Sequence, residues 1–441
     1  MSRVEAALAA RIRAPGAVSE IARVGALAAA VALGGAPVGG CGERASGLAA
    51  ATRGEGEASQ GDEVAAARSA SSPGEVEAEA EAEARRRQES PHHVVFADRI
   101  SQSYALLLAD TSASPPATPS REALRAQVEE AFARDLEDPE VALLLAMIMR
   151  TPAAAGAGAP VLMAPSGEEE EAPGYQRARE LLALHVEVGA IAELVEQGAF
   201  ADPALIRGLS PEELGSLAAR RWVLVLRADY RNQNGVRGLR LLQTLVRVVA
   251  EREGALIYDP DTQETVGPGL FTARRLRAEL GNVADQVAVV PFSDPRHGEG
   301  FVRLTTRGMR RFGSVDLELD GLPATQRALQ RATFLLHGLA RVMVKLGEAE
   351  ASGLAVEAPA VIRLTYRDCD LAYAGRGAQV PRCAACPEEI ALHLVERARE
   401  PHDPLEHVVA RVVAPRGQSD ASARYDHPAW AASALVRLFG E

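Results

Sequence analysis

The chain has 441 residues, 47% hydrophobic but only 4% aromatic, and its 48 basic against 60 acidic residues leave a formal net charge of -12. That length suffices for two or three domains, each with its own core. Nucleic-acid binding needs clustered positive charge to displace counterions, and no sustained basic stripe is present, so nucleic acid is excluded as an expected partner.

In chain order, residues 24–38 (VGALAAAVALGGAPV) are uncharged and mildly apolar, with Arg11, Arg13 and Arg23 before them and Gly39, Gly40 and Cys41 after. A positive segment, a short apolar segment and small exit residues predict a secretory signal over residues 1–40. The stretch is too short and glycine-rich to span a bilayer, which takes about 20 apolar residues. Val38-Gly39-Gly40-Cys41 resembles the bacterial lipobox. That resemblance implies a lipidated thiol on Cys41, cleavage that leaves Cys41 as the first mature residue, and membrane attachment in the cell envelope. Acyl chains contribute about 0.8 kcal/mol per buried CH₂, so two or three anchor a soluble body firmly. The alternative readings are an ordinarily secreted protein and a cytoplasmic protein with an alanine-rich head.

Residues 41–90 form a low-complexity tether of mostly Ala, Glu, Gly, Ser and Arg, without an aromatic side chain. Such a segment buries too little apolar surface to offset its ordering entropy, which predicts a disordered leash. Its basic run, Arg85 to Arg87, follows Glu81 and Glu83 at four-residue spacing, as on a solvated helix.

From residue 91 the composition predicts a helix-rich α+β region (91–215) and an α+β domain (216–441). Short strands are expected at 93–96 and 104–109. Ser120 caps a helix carrying Leu124, Val128 and Phe132, and Asp138-Pro139 opens a second one. A short strand is expected at 161–163 and a helix at 175–197. Ser210-Pro211-Glu212-Glu213 is a capping-box pattern.

Residues 222–226 read as a buried strand, with Asp229, Tyr230 and Arg231 just beyond it as candidate pocket residues. Leu239, Leu242, Val246 and Val249 form one face of a helix stopped by Gly254, and a strand follows over 255–258. A hairpin is expected from 287–292 and 301–305, and Val315, Leu317 and Leu319 alternate with acids in a half-buried strand. A long helix over 325–346 and a strand over 361–366 complete the pattern. It predicts a mainly antiparallel sheet with helices packed on one face. Residues 241–261 and 306–317 resemble bacterial domains of unknown function over about 220–350, which implies a fold and transfers no site.

The candidate chemistry is sparse. Cys369 with Cys383 and Cys386 admits a structural disulfide, a zinc site, a thiol–disulfide redox site or free thiols. Pro387-Glu388-Glu389 reads as a first helical turn that would hold His393 two turns away from the thiols. Asp259 and Asp261 flank Pro260 as turn residues. His297 reads as a hairpin-loop residue, and His92, His93, His402, His407 and His427 show no metal-ligand spacing. No catalytic residue and no cofactor is expected, zinc on the cysteines being the exception weighed. The expected function is therefore a non-catalytic binding or structural lipoprotein with an envelope protein partner. The alternatives are an envelope enzyme or metal-binding protein using Cys369, Cys383 and Cys386, and a cytoplasmic α+β protein.

Overall fold

The computed structural model describes residues 94–97, 99–150, 181–195, 199–202, 205–232, 235–276, 282–348, 356–376, 379–381, 389–400, 403, 407–415 and 425–440. The signal and Cys41, the tether, the strand expected at 161–163 and the Cys383/Cys386 pair lie outside the described residues.

The first half runs β1 (Val95–Phe96), β2 (Arg99–Leu107), α1 (Arg121–Ala131), α2 (Pro139–Arg150), β3 (Leu181–Ala190), α3 (Ile191–Leu194) and β4 (Ile206–Arg207). It continues through α4 (Pro211–Leu217), β5 (Trp222–Arg231), α5 (Gly235–Glu253), β6 (Leu256–Asp259), β7 (Glu264–Val266) and α6 (Pro268–Phe271). The local chemistry explains the starts and stops. The Ser120 hydroxyl accepts from the Ala123 amide at the head of α1, and Ser210 and Glu213 close a reciprocal capping box on α4. Gly254, at φ +57°, takes the left-handed conformation that ends α5.

The second half runs β8 (Ala288–Ser293), β9 (Phe301–Arg307), β10 (Asp316–Pro323), α7 (Gln326–Glu348), β11 (Val356–Glu357) and β12 (Ile362–Thr365). After these come α8 (Tyr366–Leu371), β13 (Glu389–Arg397), β14 (Val409–Val413) and α9 (His427–Phe439). No helix among the described residues is long and apolar enough to cross a membrane.

The α+β class holds, built on two six-stranded sheets and a small β1–β11 pair. One sheet has the order β3-β5-β2-β6-β7-β4 and the other β12-β13-β14-β10-β9-β8. Both are mixed, since β4 pairs with β7 and β10 with β14 in parallel. Helix cover is also less one-sided than expected. Tyr104, Leu106 and Leu226 face the main core with α5, whereas Ala105, Leu107 and Val223 face a smaller core closed by Ile191 of α3 and Leu217 of α4.

Four expectations need correction. The boundary between 215 and 216 falls inside one sheet, because β2 pairs with β5 along nine residues. Residues 181–190 form a strand rather than a helix: β3 zips antiparallel onto β5, and this pairing outweighs the helical preference of its Leu and Ala residues. Residues 389–397 are likewise a strand, held between β12 and β14, with Ile390, Leu392 and Leu394 buried on one face and His393 buried on the other. β10 also differs from a half-buried strand. Its acids Asp316, Glu318 and Asp320 are as enclosed as its leucines, so each needs a partner.

Candidate functional site

Among the described residues, two buried polar clusters are the candidates for a site. The first joins the two sheets. Asp259 ends β6, and Arg311 arrives from the 3₁₀ turn Met309–Phe312 between β9 and β10. The Arg311 Nη2 donates to both Asp259 oxygens, at 2.7 and 2.9 Å. Arg275, from the π turn Thr272–Leu276, adds contacts of 3.4 Å to Asp259 and 3.2 Å to Glu264. Burial alone would raise the Asp259 pKa, but the guanidiniums of Arg311 and Arg275 hold it below the usual carboxylate value. Burial pushes the neighbouring Tyr104 hydroxyl up to about 12. Asp259 does make the expected turn, accepting from the Asp261 amide at 3.1 Å. Its larger role is a buried ion pair. The adjoining void, lined by Asp259, Glu264, Val266, Phe271, Arg274 and Arg275, is about 10 Å³, room for one water and not for a substrate.

The second cluster lies at the end of β10. A register shift between Leu319 and Leu322 marks a bulge, which re-aims a side chain at the strand end. There Asp320 is fully buried, and Gly321 adopts φ +66°. Asp294 and His297 come from the β8–β9 loop, and His427 opens α9. The His297 Nε2 lies 3.4 Å from Asp320 Oδ2 and 3.8 Å from Asp294 Oδ2. One ligand-type atom from each of Asp294, His297 and Asp320 falls within 4.8 Å of the others. The His297 and His427 rings stack with centroids 5.8 Å apart.

Arginines balance part of this charge. Arg296 donates to Asp294 Oδ1 at 3.0 Å, and Arg411 donates to Asp320 Oδ2 at 2.5 Å. The Asp294 Oδ2 accepts from the Gly321 amide at 2.9 Å. Burial would raise the Asp320 pKa, but His427, Arg411 and Arg296 hold it well below the carboxylate range. Asp320 Oδ1 is paired with the His427 Nε2 at 2.6 Å. One imidazole and two carboxylates, His297 with Asp294 and Asp320, form a donor set suited to a borderline divalent ion.

The remaining expected residues are placed elsewhere. Cys369 is a free, fully buried thiol on α8, packed so closely on α7 that a Cβ at Gly338 would fall 2.6 Å from its Sγ. Burial pushes that thiol far above its ordinary pKa, away from the thiolate that zinc binds. His393 is buried on β13, its Nδ1 2.6 Å from the Ala360 carbonyl oxygen. His407 pairs with Asp316 at 2.6 Å. Tyr230 is buried and its hydroxyl donates to the Arg311 carbonyl. Asp229 lies 3.0 Å from His185.

His297 is thus more than a loop residue, and Asp294, Asp320 and His427 had no sequence spacing that would single them out. A weak signal was the pairing of Asp294-Pro295 in a hairpin loop with Asp320-Gly321 at a strand end. No known protein family, curated protein or solved structure matches the chain. The functional reading therefore rests on the side chains themselves.

Proposed function

We propose that the chain is a lipid-anchored cell-envelope protein whose body binds a divalent transition-metal ion on Asp294, His297 and Asp320. The observation that carries the metal reading is the convergence of three ligand-type atoms within 4.8 Å, two of them on fully buried carboxylates. Imidazole with carboxylate favours zinc-like ions over magnesium, which prefers an all-oxygen shell. The role is binding rather than catalysis. Metal binding moves from the three cysteines to this Asp/His set, because Cys369 is enclosed with its thiol protonated. The address rests on Val38-Gly39-Gly40-Cys41 and on the polar residues after it.

Calorimetric titration of the full chain with ZnCl₂, beside MgCl₂, tests the metal. Stoichiometric Zn²⁺ binding, lost in Asp294→Asn and Asp320→Asn, is expected, and no Zn²⁺ binding by the wild type would end the reading. Intact mass from membrane and soluble fractions tests the anchor. A chain beginning at Cys41 with acyl mass, absent from Cys41→Ser, is expected; an unprocessed soluble chain would remove the envelope address and leave the metal site standing.

A further inference from the structure

We infer that His427 is a positioning residue for this site. With Tyr425 behind it, it holds the Asp320 carboxylate in the orientation the ion requires, and it is not itself a ligand. The inference rests on the metal reading above.

The start of α9 is specified locally. Asp426 caps the helix, its Oδ1 accepting from the Ala429 amide at 3.0 Å, and Pro428 follows in the first turn. His427 is thereby fixed between the cap and the proline. The helix start seats against the end of β10, where a Cβ on Gly321 would lie 2.9 Å from Pro428 Cγ. Glycine allows that approach at φ +66°, and it brings the buried His427 ring to Asp320. Packing holds the ring in place, with the His297 and Trp430 rings at centroid distances of 5.8 and 5.6 Å.

A chain of hydrogen bonds then sets the direction of each proton. The Ala414 amide, just past β14, donates to the Tyr425 oxygen at 3.1 Å, which leaves the phenol proton for His427 Nδ1 at 2.8 Å. With Nδ1 accepting, the ring proton sits on Nε2, which donates to Asp320 Oδ1 at 2.6 Å. That bond ties down Oδ1 and leaves Oδ2 facing His297 Nε2, 3.4 Å away. Oδ2 also accepts from Arg411, and a carboxylate oxygen keeps a second lone pair for an ion. Outer partners of this kind orient a ligand and govern metal affinity by about 10- to 100-fold. Asp320 is therefore presented to the ion by the last helix as well as by its own strand.

Calorimetric titration of the full chain with ZnCl₂ tests this through three variants. His427→Ala should weaken Zn²⁺ binding by about 10- to 100-fold. His427→Gln should stay near the wild-type affinity, because the glutamine amide nitrogen replaces Nε2 as donor to Asp320 Oδ1. Tyr425→Phe frees Nδ1 to take the ring proton. It should weaken binding by about 10-fold in the wild-type background and have no effect beside His427→Gln. A role in folding alone does not produce that non-additivity. Co²⁺ absorption of wild type and His427→Gln should coincide, since no ligand is lost. Where His427→Ala does not fold, the other two variants decide. Zn²⁺ affinity unchanged by Tyr425→Phe and His427→Ala overturns the positioning role and spares the three-residue site. An equal loss from Tyr425→Phe in both backgrounds does the same. A Co²⁺ spectrum altered by His427→Gln overturns it by making His427 a ligand. No Zn²⁺ binding by the wild type overturns both readings.

Discussion

The Arg311 Nη2 bonds both oxygens of Asp259, at 2.7 and 2.9 Å, across the junction of the two sheets and out of contact with solvent. Removing one partner of a buried pair leaves an uncompensated charge, which costs about 3–5 kcal/mol. Asp259→Asn should therefore lower the unfolding free energy by that amount, seen as a lower urea midpoint at an unchanged denaturant slope. A loss under about 1 kcal/mol would mean that the pair behaves as a surface salt bridge.

His337 on α7 carries a signed pH dependence. Its Nε2 faces the Val287 carbonyl at 3.1 Å and must donate, so Nδ1 accepts from the Tyr373 hydroxyl at 2.6 Å. Burial lowers its pKa from 6.5 to about 4. Between those values the unfolded chain binds a proton that the native chain refuses, so stability falls as pH drops from 6.5 toward 4 and levels off below. The contribution is on the order of 3 kcal/mol. His407 acts in the opposite direction, because its pairing with Asp316 raises its pKa against the cost of burial; that stabilisation is lost as pH rises through the raised value. Comparing melting temperature against pH in wild type and His337→Gln isolates the first effect. Parallel curves would refute it.

Gly338 is the point where α7 meets α8. An added Cβ would lie 2.6 Å from Cys369 Sγ, 2.8 Å from its Cα and 2.9 Å from its backbone nitrogen. Alanine gains up to about 1 kcal/mol in helix preference, but overpacking against backbone costs about 1–3 kcal/mol. Gly338→Ala should be net destabilising in thermal unfolding, and Cys369→Ala should not restore it, because two of the three clashes are with the main chain. In the wild type, Cys369 should resist alkylation until the chain unfolds, as site-mapped mass spectrometry will show; ready labelling of the native protein would contradict its enclosure.

Ser210 caps α4 through the Glu213 amide at 3.1 Å, and Glu213 answers with 2.7 Å to the Ser210 amide. Ser210→Ala should cost about 1 kcal/mol. The measurement is a chevron or equilibrium unfolding curve, and a neutral result would show that the cap is replaced by water.

Local chemistry made a good part of the fold legible. The caps at Ser120 and Ser210, the apolar stripe of α5, its glycine stop and the β8–β9 hairpin are short-range patterns, and each formed where the residues placed it. Each depends on neighbours within about four positions, so no tertiary knowledge was needed. β3 and β13 were misread for the converse reason. Their strand state comes from pairing with β5 and with β12 and β14, partners that local sequence does not name.

The polar clusters lay still further from view. Asp259 looked like a turn residue because its turn bond is local, whereas Arg311, the partner that neutralises it, stands 52 residues on. Asp294, His297, Asp320 and His427 sit on a loop, a bulged strand end and the last helix, and no spacing rule joins them. The order of local apolar patterns pointed to the α+β class, and composition to the polar leash as an expectation and to the absence of a basic stripe. Only the tertiary structure decided that the acids of β10 are buried, which side chains answer them and where three ligand-type groups meet. Burial is a property of the packed chain, and desolvating a charge compels it to find its partner wherever the fold brings one.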